Sequence, residues 1–181
     1  MGSAGTYTPE KLVFGVLTSR AEVRDELLAA ATDAWGPVDF VSGFLPFTFT
    51  HYYDTEMGTP IHRLFLSFER LVDPSGLAAI KRATNALEER WHEAGLRKVN
   101  LDPGLVALSR FTLATTKENA HRIPLSQGIY GEITLLFSRG SYRPLDWTYP
   151  DYRSEATVAL LNRIRAVYKG QLRSNPAGRS H

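Results

Sequence analysis

The chain has no cysteine and only two methionines among its 181 residues. It therefore can form no disulfide framework, no thiolate zinc site and no cysteine nucleophile. No apolar stretch approaches the roughly 18 residues of a membrane-spanning helix, and the first dozen residues lack the basic-then-apolar pattern of a signal peptide. These features predict a cytosolic protein with no membrane association. Charge of one sign is also scarce: 21 Lys and Arg face 19 Asp and Glu, a net charge of +2. That excess is too small to imply nucleic acid or membrane as a partner. Phosphate-loop, dinucleotide, zincin and serine-hydrolase motifs are missing. His51, His62, His92 and His121 are scattered, with no i,i+4 pairing and no carboxylate at ligand spacing apart from Asp54 after His51, so no metal site is expected.

With 43% hydrophobic, 11% aromatic and 22% charged residues, the composition is that of an ordinary folded domain. It is read as one unit over residues 11–173, with loose termini at 1–10 and 174–181. The run Leu12 to Leu17 reads as a buried strand. Ser19 and Glu22 form a capping-box pattern ahead of a helix from Ala21 to Trp35, which Gly36-Pro37 stops. Phe47-Thr48-Phe49 alternates and is expected to be extended, with Pro46 marking an edge. His62 to Leu71 alternates as a further strand, and Asp73-Pro74 opens a helix whose apolar face is Leu77, Ile80, Thr84, Leu87 and Trp91.

The remainder reads as mostly strand. Lys98 to Leu101 is expected to end at a turn, Asp102-Pro103-Gly104, and Leu105 to Ala114 to form one strand or a short helix. Ala120 to Leu125 and Ile129 to Phe137 flank Ser126-Gln127-Gly128, a three-residue hairpin loop with glycine at the left-handed position. An aromatic linker from Pro144 to Pro150 precedes a last helix from Asp151 to about Leu172. Beyond Ala156 the chain carries Arg163, Arg165, Lys169, Arg173 and Arg179 and no acid. The element order predicts an α+β fold, an antiparallel or mixed sheet with three helices. Its ferredoxin-like β-α-β-β-α-β start is followed by a C-terminal hairpin and helix.

Chemistry-bearing side chains gather between Asn100 and Arg153. Asn100 and Asp102 stand on alternate positions near a strand end, Lys117 and His121-Arg122 supply groups able to hold an anion, and Glu132 sits inside an apolar strand. A carboxylate there costs several kcal/mol unless partnered. Counting outward from the hairpin loop puts residue 122 directly opposite 132, so Arg122 is the expected counter-charge. The pair serves either as a structural cross-strand bridge or as an arginine oriented to receive an anion. Trp147, Tyr149, Asp151 and Arg153 form a second cluster, suited to stacking a planar ring or to packing and capping a helix start.

Several of these segments together resemble a known family. They are Asn100-Leu-Asp-Pro-Gly104, Ala114-Thr-Thr-Lys117, His121-Arg-Ile123, Gly128-Ile-Tyr130, Glu132-Ile-Thr-Leu135 and Trp147-Thr-Tyr-Pro-Asp-Tyr-Arg153. With Phe47-Thr-Phe49, Tyr52-Tyr53, Glu56-Met-Gly58 and Phe65-Leu-Ser-Phe-Glu69, they resemble a small bacterial family catalogued as domain of unknown function 4416, from about Lys11 to Arg173. The resemblance implies a ligand pocket in the second half of the chain and no particular activity. Glu132-Ile-Thr-Leu135 is also loosely similar to the His-x-Thr strand of two-histidine phosphoesterases, but glutamate replaces the histidine and Phe47-Thr-Phe-Thr50 contains none.

The expected function is binding of a small anionic, nucleotide-like or phosphorylated ligand. Lys117, His121 and Arg122 would hold the anion, Trp147 or Tyr149 would stack a ring, and Asp102 or Glu132 would orient the cations or act as a base. Arg122→Ala should then abolish binding and leave the fold. The alternatives are an RNA-binding accessory protein using a ferredoxin-like sheet and the basic last helix, or a subunit of an assembly docking through the aromatics from Phe40 to Tyr53. No cofactor is specified by the residues.

Overall fold

The computed structural model describes residues 5–174. Strand β1 (Glu10–Thr18) is buried along its whole length. Both of its faces are covered, which is why its sequence is a continuous apolar run and not an alternating one. Leu12, Phe14 and Val16 enter one core and Val13 the other.

A 3-10 turn (Ala21–Val23) leads into α1 (Arg24–Trp35). The expected capping box is not formed: Thr18 Oγ1 accepts the Arg20 N–H at 3.0 Å, and Ser19 Oγ donates to the Met57 carbonyl at 2.5 Å. The hydroxyl one residue earlier turns the chain and leaves Ser19 free to anchor a distant loop. After α1 come β2 (Val38–Val41), the two-residue β3 (Leu45–Pro46), the one-turn α2 (Asp54–Met57) and β4 (His62–Val72). Phe47 to Phe49 is not strand. Pairing with β4 stops at Pro46, and Phe47 turns inward to pack with Leu17, Met57 and Ile61.

Asp73 caps the next helical segment as expected, its Oδ1 accepting the Ser75 N–H at 2.8 Å. Helix α3 (Leu77–Glu88) follows, then a small hairpin of β5 (His92–Glu93) and β6 (Leu96–Arg97) turning through Ala94-Gly95. Strand β7 (Val99–Val106) runs straight through Asp102-Pro103-Gly104, where a turn was expected. The stretch expected as one element from Leu105 to Ala114 instead holds the end of β7, a connection at 107–109 and β8 (Arg110–Thr115). Strands β9 (Ile123–Pro124) and β10 (Tyr130–Ser138) form the foreseen hairpin, with Gly128 at φ 76°. Arg139-Gly140, both at positive φ, then return the chain as β11 (Ser141–Pro144), a strand the proline and aromatics had masked.

The last helix is broken. Pro150–Arg153 forms the short α4, Ser154 is extended (ψ 144°), and α5 runs over Glu155–Ser174. Ser154 Oγ accepts the Thr157 N–H at 3.2 Å, so Ser154 caps α5, the role expected of Asp151. Arg179 lies outside the described residues.

The sheet order is β11-β10-β8-β7-β1-β4-β2, with β3 added to β4 and β9 to β10, and each pairing is antiparallel. The fold is α+β. Helices α1 and α3 cover one face, where Phe14 meets Trp35 and Phe68 edge-on at 4.8 Å. Helices α4 and α5 cover the other through Tyr152, Leu161, Ile164 and Tyr168. Each fully buried large apolar side chain contributes about 2 kcal/mol. Lys11, fully buried, spends all three ammonium protons on Asp39 (2.6 Å), the Phe68 carbonyl (2.8 Å) and Gln171 (2.9 Å), tying β1 and β4 to α5. Among the described residues no helix is long and apolar enough to cross a membrane.

Candidate ligand-binding cleft

The site begins with a split in the sheet. The ladder between β7 and β8 runs only from Gly104–Leu113 to Val106–Phe111. N-terminal to Gly104, β7 keeps β1 on one side and, among the described residues, has no strand on the other. Two side chains of α3 take the missing strand's place: Glu88 Oε1 accepts the Leu101 N–H at 2.7 Å, and Lys81 Nζ donates to the Leu101 carbonyl at 2.7 Å. Hydrogen-bonding groups on an antiparallel strand alternate sides, so the nitrogen of Pro103, two residues on, faces the same open side, where no N–H is required. Burial pushes the Glu88 carboxyl up from its ordinary value, with Lys81, the Leu101 N–H and Arg97 pulling against it.

A cleft of about 730 Å³ opens at this split, within the range of small-molecule sites. Three contact-linked groups of residues line it. At the α3 end, Arg97 meets Glu56 (3.0 Å), Glu88 (3.1 Å) and Asn100 Oδ1 (2.8 Å). In the middle, the buried Arg63 bonds Asp102 (3.3 Å) and Asp151 and lies within 5.2–5.7 Å of the Phe47, Phe65 and Tyr152 rings. At the hairpin end, Arg122 places Nε on Glu132 (2.8 Å), NH1 on the Lys117 carbonyl (2.9 Å) and NH2 on the Tyr149 hydroxyl (2.7 Å). Lys117 in turn reaches Tyr52, 3.2 Å from its hydroxyl and 4.4 Å from the ring centroid.

Gly15 makes the middle group possible. A Cβ there would collide with the Tyr152 hydroxyl and with Arg63 NH1, so only glycine lets both side chains cross β1. The Tyr152 hydroxyl is buried without a hydrogen-bond partner, and burial raises its pKa well above the usual phenol value. Burial works against the Arg63 charge, but the facing Tyr152, Asp151 and Asp102 outweigh it and hold the guanidinium's pKa above its ordinary value. Asp102 goes the other way: burial opposes its charge, and Lys81 and Arg63 together keep the carboxyl below the usual aspartate value.

Of the ten residues singled out from the sequence, Asn100, Asp102, Lys117, Arg122, Glu132, Tyr149 and Asp151 line this cleft. The expected opposition of 122 and 132 is present: Ile123 pairs with Gly131 and Pro124 with Tyr130, and the Arg122–Glu132 bond follows from that register. His121, Trp147 and Arg153 are not among the lining residues. His121 stands behind Glu132 (Nε2 to Oε2, 2.9 Å), stacked on Trp147 at 5.1 Å. Trp147 donates Nε1–H to the Ile133 carbonyl, and Arg153 spends its guanidinium on the carbonyls of Leu145, Asp146 and Thr148. The Trp147 and Arg153 contacts bind the 145–148 turn to β10 and α4. Asp151 bonds Arg63 and does not cap a helix.

The sequence reading missed Arg63, Lys81, Glu88, Arg97 and the rings of Phe47, Tyr52 and Tyr53. Two signals were present. Lys81 and Glu88 share the face of α3 that carries Leu77 and Thr84, spaced by four and three, so charges interrupt a buried stripe. Arg63 alternates with buried leucines but shares its face with Phe65, which no solvent-facing strand position requires.

A search of curated proteins finds no match, and neither does a search of solved structures. The family model described as Domain of unknown function (DUF4416) matches residues 8–168. That span takes in β1, every lining residue of the cleft and most of α5, and the chain belongs to this family of unknown function.

Proposed function

We propose that the cleft binds a small anionic ligand carrying a planar ring. One observation supports this most directly: among the described residues lining the cleft, Lys117 is exposed at the mouth with no carboxylate partner, beside the Tyr52 ring and hydroxyl, whereas Lys81, which also lacks an ion pair, is buried with its ammonium on the Leu101 carbonyl. Arg63, Arg97 and Arg122 are each neutralised by an acid at 2.8–3.3 Å. An anionic group docking at Lys117 gains an unshared charge with little to displace. Phe49, Tyr52 and Tyr149, all exposed at the rim, offer faces for a ring.

The RNA reading has less support, because helices cover both faces of the centre of the sheet, around β1, β4 and β7. Arg163 and Arg165 of α5 lie over the Phe40 and Phe137 rings and are not presented as a free basic stripe.

Thermal unfolding against a panel of nucleoside monophosphates, sugar phosphates, inorganic phosphate and short RNAs tests the reading. A ligand at ~100 times its Kd stabilises by about 2.7 kcal/mol. For a domain of this size that is a shift of roughly 5 to 10 °C. Lys117→Ala should lose most of that shift. A flat panel, or an equal shift in Lys117→Ala, overturns the proposal.

A further inference from the structure

Accessible charge is sorted by sign along the cleft. In the middle and at the α3 end an acid is the most open charge: Asp102 is 26% exposed against 5% for Arg63, and Glu56 is 40% exposed against 23% for Arg97, whose second acid, Glu88, is buried. Lys81, the remaining cation there, is buried with its ammonium on a backbone carbonyl. At the hairpin end the order reverses: Glu132 is buried beneath Arg122 and His121, and the open charge is Lys117. A ligand thus meets carboxylate oxygens at one end and an ammonium at the other, in a cleft also lined by Tyr52, Tyr53 and Tyr149.

We infer that the occupant is bipolar: a planar ring whose amino or N–H edge faces Asp102, with the anionic group at Lys117. This deepens the reading of the cleft as an anion-binding site and rests on it. Asp102 is suited to the task because its carboxylate meets Arg63 NH1 at 3.3 Å through Oδ2, and its exposed part borders the cleft. Arg63 is itself fixed by Asp151 and by three rings, and so positions Asp102 without covering it. A carboxylate held in this way accepts N–H donors and repels a carbonyl edge, which makes it a discriminator between amino and deamino rings.

Calorimetric titration with matched pairs tests this. The pairs are AMP with purine riboside 5′-monophosphate, GMP with IMP, and 4-aminophenyl phosphate with phenyl phosphate. The amino member of at least one pair should bind about tenfold more tightly to the wild-type chain. Asp102→Asn should cut that ratio to about threefold or less, and Lys117→Ala should weaken both members of the pair alike. Equal affinity within every pair that binds overturns the bipolar assignment and leaves the anion site standing. So does binding of sugar phosphates or inorganic phosphate alone. No binding by any of these probes or the wider panel overturns both. The wild-type ratio needs no variant, so a poorly folding Asp102→Asn does not shield the inference.

Discussion

Glu88 Oε1 and the backbone N–H of Leu101 are 2.7 Å apart, a helix carboxylate filling the place of a sheet neighbour. Arg97 bonds the same carboxylate at 3.1 Å. Glu88→Ala therefore strands a buried N–H and removes one of two acids from Arg97, and should cost about 3 kcal/mol in urea unfolding. Glu88→Gln keeps the acceptor and should cost clearly less. Equal losses would mean that the Leu101 bond contributes nothing.

Gly15 is the second point at which a single change should tell. Its missing Cβ is the space used by the Tyr152 hydroxyl and Arg63 NH1, both held inside the core. Gly15→Ala should destabilise the chain by ~1–3 kcal/mol through overpacking. Combining it with Tyr152→Phe, which removes the nearest atom, should recover part of the loss. No recovery would place the clash elsewhere.

Arg122 has a larger structural part than the sequence suggested. Glu132 is almost fully buried, and its carboxylate is bonded by the Arg122 guanidinium and the His121 ring. Arg122→Ala should therefore destabilise the fold by about 3 kcal/mol, in contrast to the expectation that it would leave the fold unchanged. The double variant Arg122→Met with Glu132→Gln, which removes both charges together, should be more stable than Arg122→Ala alone. Denaturant midpoints at constant slope decide the order.

Asp102 supplies a pH test with a definite sign. Its folded carboxyl lies below the unfolded value, with Lys81 and Arg63 outweighing burial. The stability it contributes is fully present above the ordinary aspartate range and is lost as pH falls through that range toward the lower folded value. Wild type should therefore lose more stability than Asp102→Asn between about pH 5 and pH 3. Parallel curves over that window would show that Asp102 is not held ionised by its neighbours.

The cross-strand pair and the broken last helix show how far local reasoning reached. Residues 122 and 132 could be set opposite each other because a three-residue loop fixes hairpin register, and the Arg122–Glu132 bond is where that count puts it. The α+β composition followed from the periods of the segments. Asp102-Pro103-Gly104 misled because its turn chemistry is real in isolation. It was overridden by β1 on one side and by α3 side chains on the other, which relieve Pro103 of any need for an N–H.

What the sequence determined by itself was local: the apolar run of β1, the Asp73 cap, the hairpin at Gly128, and the presence of a polar cluster between residues 100 and 153. Each depends on neighbours within a few positions, where backbone sterics and side-chain period suffice. The cleft was decided by tertiary structure. Arg63 and Asp102 are 39 residues apart and Arg63 and Asp151 are 88 apart, and only the sheet order brings these groups together. Whether a charged residue on an alternating strand faces water or a core depends on which helix returns to cover it. For Arg63 that helix is α4, carrying Tyr152 and Asp151.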